Sequence, residues 1–238
     1  MGGATARAFA DEGCNVVILD VNSEKGEAHA QSLGDRGRFV HTDVTSEDSV
    51  QAAVQAALSE FGAIHVCVNC AGIGPPAKTV GKDGPHSLSL FEKVVTINLV
   101  GSFNVARLAA HAMQSNDPED GERGVIINTA SVAAYEGQMG QVAYSASKGG
   151  IVGMTVPMAR DLARDGIRVN TIAPGIFDTP LLAGMPENVR EALAQMVLNP
   201  KRLGDPAEFA ALAVFMAKAP YMNGETVRLD GGIRMQPR

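Results

Sequence analysis

The stretch Ala4-Thr5-Ala6-Arg7-Ala8-Phe9-Ala10-Asp11-Glu12-Gly13-Cys14-Asn15-Val16-Val17-Ile18-Leu19-Asp20 holds a helical pattern, a glycine that ends it, and a short apolar run closed by a carboxylate. Helix, glycine and buried strand in that order form one unit of an alternating α/β chain. The alternation continues downstream. Residues 38–41 read as a strand. Val50, Ala53, Val54, Ala57, Leu58 and Phe61 then share one helical face, with Ser46 and Asp48 ahead of them as capping signals. Residues 64–68, 125–127, 168–172 and 226–229 are further strand-like runs, with helical patterns at 91–113, 143–165, 187–196 and 207–217 between or after them. Strands alternating with helices imply βαβ units around a parallel sheet. Loops are expected at 74–87, 115–124 and 175–186. No repeat, low-complexity tract or linker interrupts the pattern, so residues 1–238 read as one domain.

The bulk properties narrow the function. Of 238 residues 45% are hydrophobic and 19% charged, which is too apolar and too weakly charged for intrinsic disorder. The net charge of −6 argues against a polyanion as main ligand, so no nucleic acid is expected to bind this chain on its own. The longest apolar run, Phe209 to Ala217, falls well short of the roughly 18 residues a membrane span needs. Met1-Gly2-Gly3-Ala4-Thr5-Ala6 has neither a basic nor an apolar leader region, and an intracellular, cytoplasmic protein is expected (mitochondrial matrix in a eukaryote). Cys14, Cys67 and Cys70 make no disulfide framework. The pair Cys67 and Cys70 has no further ligands at metal spacing, so Cys67 reads as a core residue and no metal is expected.

Tyr144 and Lys148 stand four residues apart in a helical pattern, on one face and about one turn from each other. A neighbouring ammonium stabilises a phenolate, which would turn a tyrosine of ordinary pKa about 10 into an acid/base for an alcohol or carbonyl. Ser131 lies just past the strand at 125–127, at the carboxyl edge where a parallel sheet forms its ligand crevice. Its hydroxyl can face the tyrosine across a substrate.

Together, Ser131 and Tyr144-Ser145-Ala146-Ser147-Lys148 resemble the signature of the short-chain dehydrogenase/reductase superfamily. Asn69-Cys70-Ala71-Gly72, Asn98 within Thr96-Ile97-Asn98-Leu99, and Pro174-Gly175 with Thr179-Pro180 match its other motifs in the same order. The resemblance implies a Rossmann-type doubly wound sheet and NAD as cofactor. It makes Tyr144 the general acid/base, Ser131 the group that orients the substrate oxygen, and Lys148 the group that depresses the Tyr144 pKa and holds the nicotinamide ribose. It makes Asn98 the residue that kinks its helix and holds a proton-relay water.

Cofactor choice turns on Asp20, at the end of the first strand and near the spacing of about 20 residues from Gly2 expected of an acid that binds the ribose 2′-hydroxyl. A carboxylate there repels a 2′-phosphate and favours NAD over NADP. By resemblance, Asp43 and Val44 flank the adenine, Cys70, Ala71 and Gly72 wall the adenosine ribose, and Pro174, Phe177 and Thr179 line the nicotinamide side. Met1-Gly2 supplies only the last two positions of the family's Thr-Gly-x-x-x-Gly-x-Gly turn, and no strand stands before it. The chain is therefore expected to be N-terminally shortened by about 15 to 25 residues and to lack its first strand.

Residues 130–138, 151–155, 202–208 and 233–237 resemble the 3-hydroxyacyl-CoA dehydrogenase branch of the superfamily. This implies oxidation of a short or branched 3-hydroxyacyl-CoA, with Gln138 beside Ser131 and Tyr144 at the substrate and residues 177–185, Met185 included, as a lid. It also implies a homotetramer. The alternatives are a 3-oxoacyl-[acyl carrier protein] reductase, against which Asp20 argues, a hydroxysteroid dehydrogenase, and a non-catalytic scaffold subunit in RNA processing.

Overall fold

The glycine-ended helix and its strand set the pattern for the whole chain. In the computed structural model, which describes residues 1–179, 182 and 187–237, helix α1 (Gly2–Asp11) is followed by a turn at Gly13 in the left-handed region (φ 90°) and by strand β1 (Val16–Asp20). Helix α2 (Ser23–Ser32) leads to β2 (Gly37–His41), which pairs with β1 in parallel from Val16↔Gly37 to Asp20↔His41. Helix α3 (Glu47–Phe61) starts at Ser46, whose side chain accepts from the Ser49 N–H. Strand β3 is Val66–Asn69. The loop expected over 74–87 contains a small antiparallel hairpin, β4 (Val80–Gly81) with β5 (Gly84–Pro85).

The helix expected over 91–113 is three pieces. Helix α4 (Leu88–Val95) passes into a π-helical turn (Thr96–Val100) and then into α5 (Gly101–Met113). β6 (Gly124–Thr129), helix α6 (Val142–Asp161) and β7 (Ile167–Pro174) follow. Helices α7 (Glu187–Met196) and α8 (Pro206–Lys218) precede β8 (Thr226–Leu229).

All pairings among β3, β6, β7 and β8 are parallel, in that order across the sheet. Every residue of β7 is buried, as befits a strand covered on both faces. Alternation divides the core. Ile126 and Val169 face α3, α5 and α6 through Val50, Ala106, Met113 and Met158, whereas Val125, Ile127 and Ile172 face α1 and α8 through Phe9, Phe209 and Met216. Among the described residues, β1 and β3 are not paired with each other, so the parallel strands form two separate sections. The carboxyl ends of β1, β3, β6 and β7 bring Asp20, Cys70, Ser131 and Gly175 out of the sheet, where a doubly wound fold binds its ligand. No helix among the described residues is long and apolar enough to cross a membrane.

Candidate active site

Ser131 leaves β6 through Ala130 with extended backbone, and its side chain accepts from the Ala133 N–H at 3.2 Å, capping a short 3-10 turn over Val132–Ala134. Tyr144 stands in the first turn of α6, where the Ser131 side chain is near enough to its hydroxyl to lower its pKa. The i, i+4 spacing places Lys148 one turn further on, with its Nζ 5.7 Å from the centroid of the tyrosine ring. Lys148 is 4% exposed and donates to the Thr129 carbonyl at 2.7 Å.

This arrangement corrects one expectation. The Tyr144 pKa lies above its ordinary value: burial pushes it up, and the Ser131 side chain offsets part of that push. Lys148 is not among the causes. Its ammonium is aimed at Thr129 O instead of the phenol oxygen, and burial lowers it to about 8.

Asn98 is fully buried in the π-turn. Its Oδ1 accepts from Ile73 N at 2.8 Å, while its Nδ2 donates to Ile73 O at 2.8 Å and to Ser147 Oγ at 3.0 Å. Ser147 Oγ donates onward to Tyr144 O at 2.7 Å, and Ser102 Oγ donates to Asn98 O at 2.7 Å. The π-turn rotates Asn98 so that one side chain ties the loop after β3 to the helix that carries Tyr144. Where a kink was expected, the helix is interrupted by this π-turn.

Two glycines lie close against these side chains. A Cβ on Gly72 would fall 3.3 Å from Asn98 Oδ1 and 3.5 Å from Lys148 Nζ; one on Gly74 would fall 3.2 Å from the Tyr144 ring. Ala71 beside Gly72 is exposed. Gly2 opens α1 against Cys70, a Cβ there falling 3.3 Å from Cys70 Cβ. Burial raises the Cys70 thiol, and it raises Cys67 to about 12, so both stay protonated at neutral pH.

Asp20 is exposed, and its Oδ1 accepts from Asn22 N at 2.9 Å. Asp43 is held below the usual carboxylate range by the Thr45 hydroxyl and N–H. The Val44 side chain packs on Gly101, and its carbonyl accepts from Asn104 Nδ2 at 3.0 Å. Pro174 is buried opposite Leu229 at the end of β7. Thr179 is half-buried in the loop beyond.

The Phe177 ring, expected on the nicotinamide side, belongs to the core instead. It packs in the cluster with Phe9, Ile172 and Phe209 and closes on Gly204. Gln138 does not reach Tyr144 by a hydrogen bond; its Nε2 donates to Gln236 O at 3.0 Å. Of the lid expected over 177–185, positions 180, 181 and 183–185, with Met185, lie outside the described residues, as does Pro180 of the Thr179-Pro180 motif. The described flank is joined to α7 by an ion pair between Arg190 and Asp178 at 2.9 Å.

Sequence reasoning passed over Thr129, Gly74 and the hydroxyl of Ser147. Only Ser147 had a visible signal, being a polar residue on the Tyr144–Lys148 face that would otherwise be buried unpaired.

The doubly wound parallel sheet and the similarity along the whole chain define the class: the chain belongs to the short-chain dehydrogenase/reductase family. A family model described as "Enoyl-(Acyl carrier protein) reductase" matches residues 1–234. The chain is 55% identical to 3-hydroxyacyl-CoA dehydrogenase type-2 of Rattus norvegicus and of Homo sapiens, in each case over 100% of this chain and 92% of the relative. The crystal structure of 3-hydroxyacyl-CoA dehydrogenase type-2 from Mycobacterium avium superposes with a TM-score of 0.95 at 46% identity, covering 100% of this chain and 95% of that one. The protein is an oxidoreductase of this family.

Proposed function

We propose that the protein interconverts a 3-hydroxyacyl-CoA and the 3-oxoacyl-CoA with NAD, Ser131, Tyr144 and Lys148 carrying the proton chemistry. The observation that carries this reading is buried Lys148, its Nζ 5.7 Å from the centroid of the Tyr144 ring, in a chain 55% identical to two enzymes named for that substrate.

The residues fit NAD. Gly72 leaves open the space that a Cβ would occupy between Asn98 and Lys148. An ammonium has three N–H groups, and among the described residues Lys148 has one hydrogen-bond acceptor, Thr129 O, so N–H capacity remains for ribose hydroxyls. The free N–H groups that open α1 at Gly2 suit a pyrophosphate, and exposed Asp20 suits a ribose diol. Asp43, Val44, Cys70, Ala71, Pro174 and Thr179 would complete the cofactor wall. When bound, NAD supplies the hydride acceptor for alcohol oxidation.

In oxidation the substrate hydroxyl gives its proton to the Tyr144 oxygen while Ser131 holds the substrate oxygen. In reduction the Tyr144 hydroxyl donates to the carbonyl oxygen and Ser131 adds a second hydrogen bond to it. Asn98 keeps α6 and the loop at Ile73 in register while protons pass.

A homotetramer belongs to the same reading. Val100 at the end of the π-turn, Phe103 on α5, Val156 on α6, Phe215 on α8 and Tyr221 beyond it expose apolar surface.

Substituting Tyr144 by Phe removes the proton carrier and keeps the ring. Acetoacetyl-CoA reduction with NADH should fall by about 10²- to 10⁴-fold. Undiminished turnover would exclude Tyr144 as the acid.

A further inference from the structure

Ser131 and Tyr144 sit at the two ends of one excursion of chain, and its local bonds do little to fix it. The 3-10 turn Val132–Ala134 is followed by Tyr135 and Glu136, whose N–H groups both return to Val132 O, and Gln141 N returns to Gln138 O. Gln138 N also donates to Gln141 Oε1 at 2.9 Å, and Ala77 N, in the loop after β3, donates to Gly140 O at 2.8 Å. The other anchors come from residues 228–237.

Glu136 receives a bidentate pair from Arg228, at 2.8 and 2.9 Å, across 92 residues of sequence. The same guanidinium donates from Nε to Asp230 at 2.8 Å, from Nη2 to Ile233 O at 3.2 Å, and stands 5.1 Å from the Tyr135 ring centroid. Arg234 adds a second cation, 3.2 Å from Asp230 and 3.6 Å from Glu136. Beyond this cluster, Gln236 O accepts from Gln138 and Pro237 O accepts from Met139 N at 3.0 Å.

We propose that Arg228 and Glu136, with the tail at Gln236 and Pro237, are positioning residues of the substrate site: they fix the excursion from Ser131 to Tyr144, and so the placement of the acyl substrate between the two hydroxyls. The cluster differs from an ordinary surface ion pair. Two carboxylates and two guanidiniums balance in charge, the Asp230 side chain is only 8% exposed and that of Arg228 22%, and a planar fork meets both oxygens of Glu136. A lysine at 228 could not bridge both oxygens of Glu136. The cofactor's expected adenosine side, at Asp20, belongs to the other section of the sheet, so the effect should fall on the acyl substrate.

This proposal rests on Ser131 and Tyr144 being the reacting pair, and the test separates the two. Arg228→Lys, Glu136→Gln, the charge exchange Glu136→Arg with Arg228→Glu, and a chain ending at Met235 are compared with Tyr144→Phe. Acetoacetyl-CoA reduction gives kcat and KM, NADH fluorescence gives cofactor affinity, and circular dichroism gives the folded fraction. The two single variants and the truncation should raise the acyl-CoA KM about tenfold or lower kcat by the same factor, the loss of one charge-assisted hydrogen bond. NADH affinity should stay within about twofold, and the charge exchange should restore part of the loss. Unchanged kinetics in the single variants, or acyl-CoA and NADH affinity falling together with the folded fraction, would overturn the positioning role. A fully active Tyr144→Phe would instead overturn the reacting pair.

Discussion

Lys148 Nζ donates to the Thr129 carbonyl at 2.7 Å and stands 5.7 Å from the centroid of the Tyr144 ring, so its charge is directed at the strand end and not at the phenol oxygen. Burial therefore governs both groups, raising Tyr144 and lowering Lys148 to about 8. In the protein without cofactor, the Tyr144 phenol should ionise only above pH 10. The difference in ultraviolet absorbance between wild type and Tyr144→Phe, followed from pH 7 to 12, measures this directly. A tyrosinate signal below pH 9 that the variant lacks would contradict it.

The buried ammonium also leaves a mark on stability. A lysine whose folded pKa is lowered binds fewer protons in the folded than in the unfolded state between about 8 and 10.5, so stability rises with pH across that window. Below it, the full desolvation penalty is present. Lys148→Met removes that penalty, up to about 3 kcal/mol, together with the bond to Thr129 O. Whatever the variant's stability relative to wild type at pH 7, its standing should decline as pH approaches 10. Urea unfolding at pH 7, 8.5 and 10 checks the trend, and a constant difference would contradict it.

Asn98 offers a cleaner test of structure. Replacing it by Ala leaves the N–H and C=O of Ile73 unpaired in a half-buried loop and takes a donor from Ser147. Leaving such groups unsatisfied costs about 1–3 kcal/mol each, so Asn98→Ala should lose about 2–4 kcal/mol by urea unfolding.

These residues also show how far the sequence could be read. The i, i+4 spacing of Tyr144 and Lys148 and the place of Ser131 past a strand are local patterns, and the structure brings the three together as expected. The resemblance marked Asn98, but its π-turn was not legible, because Thr96–Val100 keeps the apolar pattern of the helices on either side. The direction of the Tyr144 shift depends on where the lysine hydrogen bonds point, which helical spacing leaves open. Phe177 shows the same limit, since only the packed core reveals that its ring fills the space over Gly204. The Arg228–Glu136 fastening joins residues far apart in the chain, beyond any local pattern.

Gly72 and Gly74 separate cofactor from substrate effects. In Gly72→Ala the new methyl would crowd Asn98 Oδ1 and Lys148 Nζ, and in Gly74→Ala it would press on the Tyr144 ring, at 3.2 Å. Gly72→Ala should weaken NADH binding by about fivefold or more, whereas Gly74→Ala should lower kcat with NADH binding nearly unchanged, since overpacking costs about 1–3 kcal/mol where neighbours cannot move. Fluorescence titration and steady-state kinetics on both variants distinguish the cases; identical effects from the two would contradict the division.

In the proposed reading, Asp20 carries the cofactor choice. Its carboxylate is exposed at the end of β1, and it accepts the Asn22 N–H at 2.9 Å, a bond that a serine hydroxyl can also accept. Asp20→Ser should therefore keep the turn and the fold while removing the charge that repels a 2′-phosphate. The ratio of kcat/KM for NAD to that for NADP should drop by at least about tenfold, which is about 1.4 kcal/mol of discrimination. Part of the drop should come from better use of NADP and part from weaker hold on the free ribose diol. A ratio unchanged from wild type, in a variant with wild-type unfolding behaviour, would remove Asp20 from the cofactor site and leave the preference to residues beyond β1.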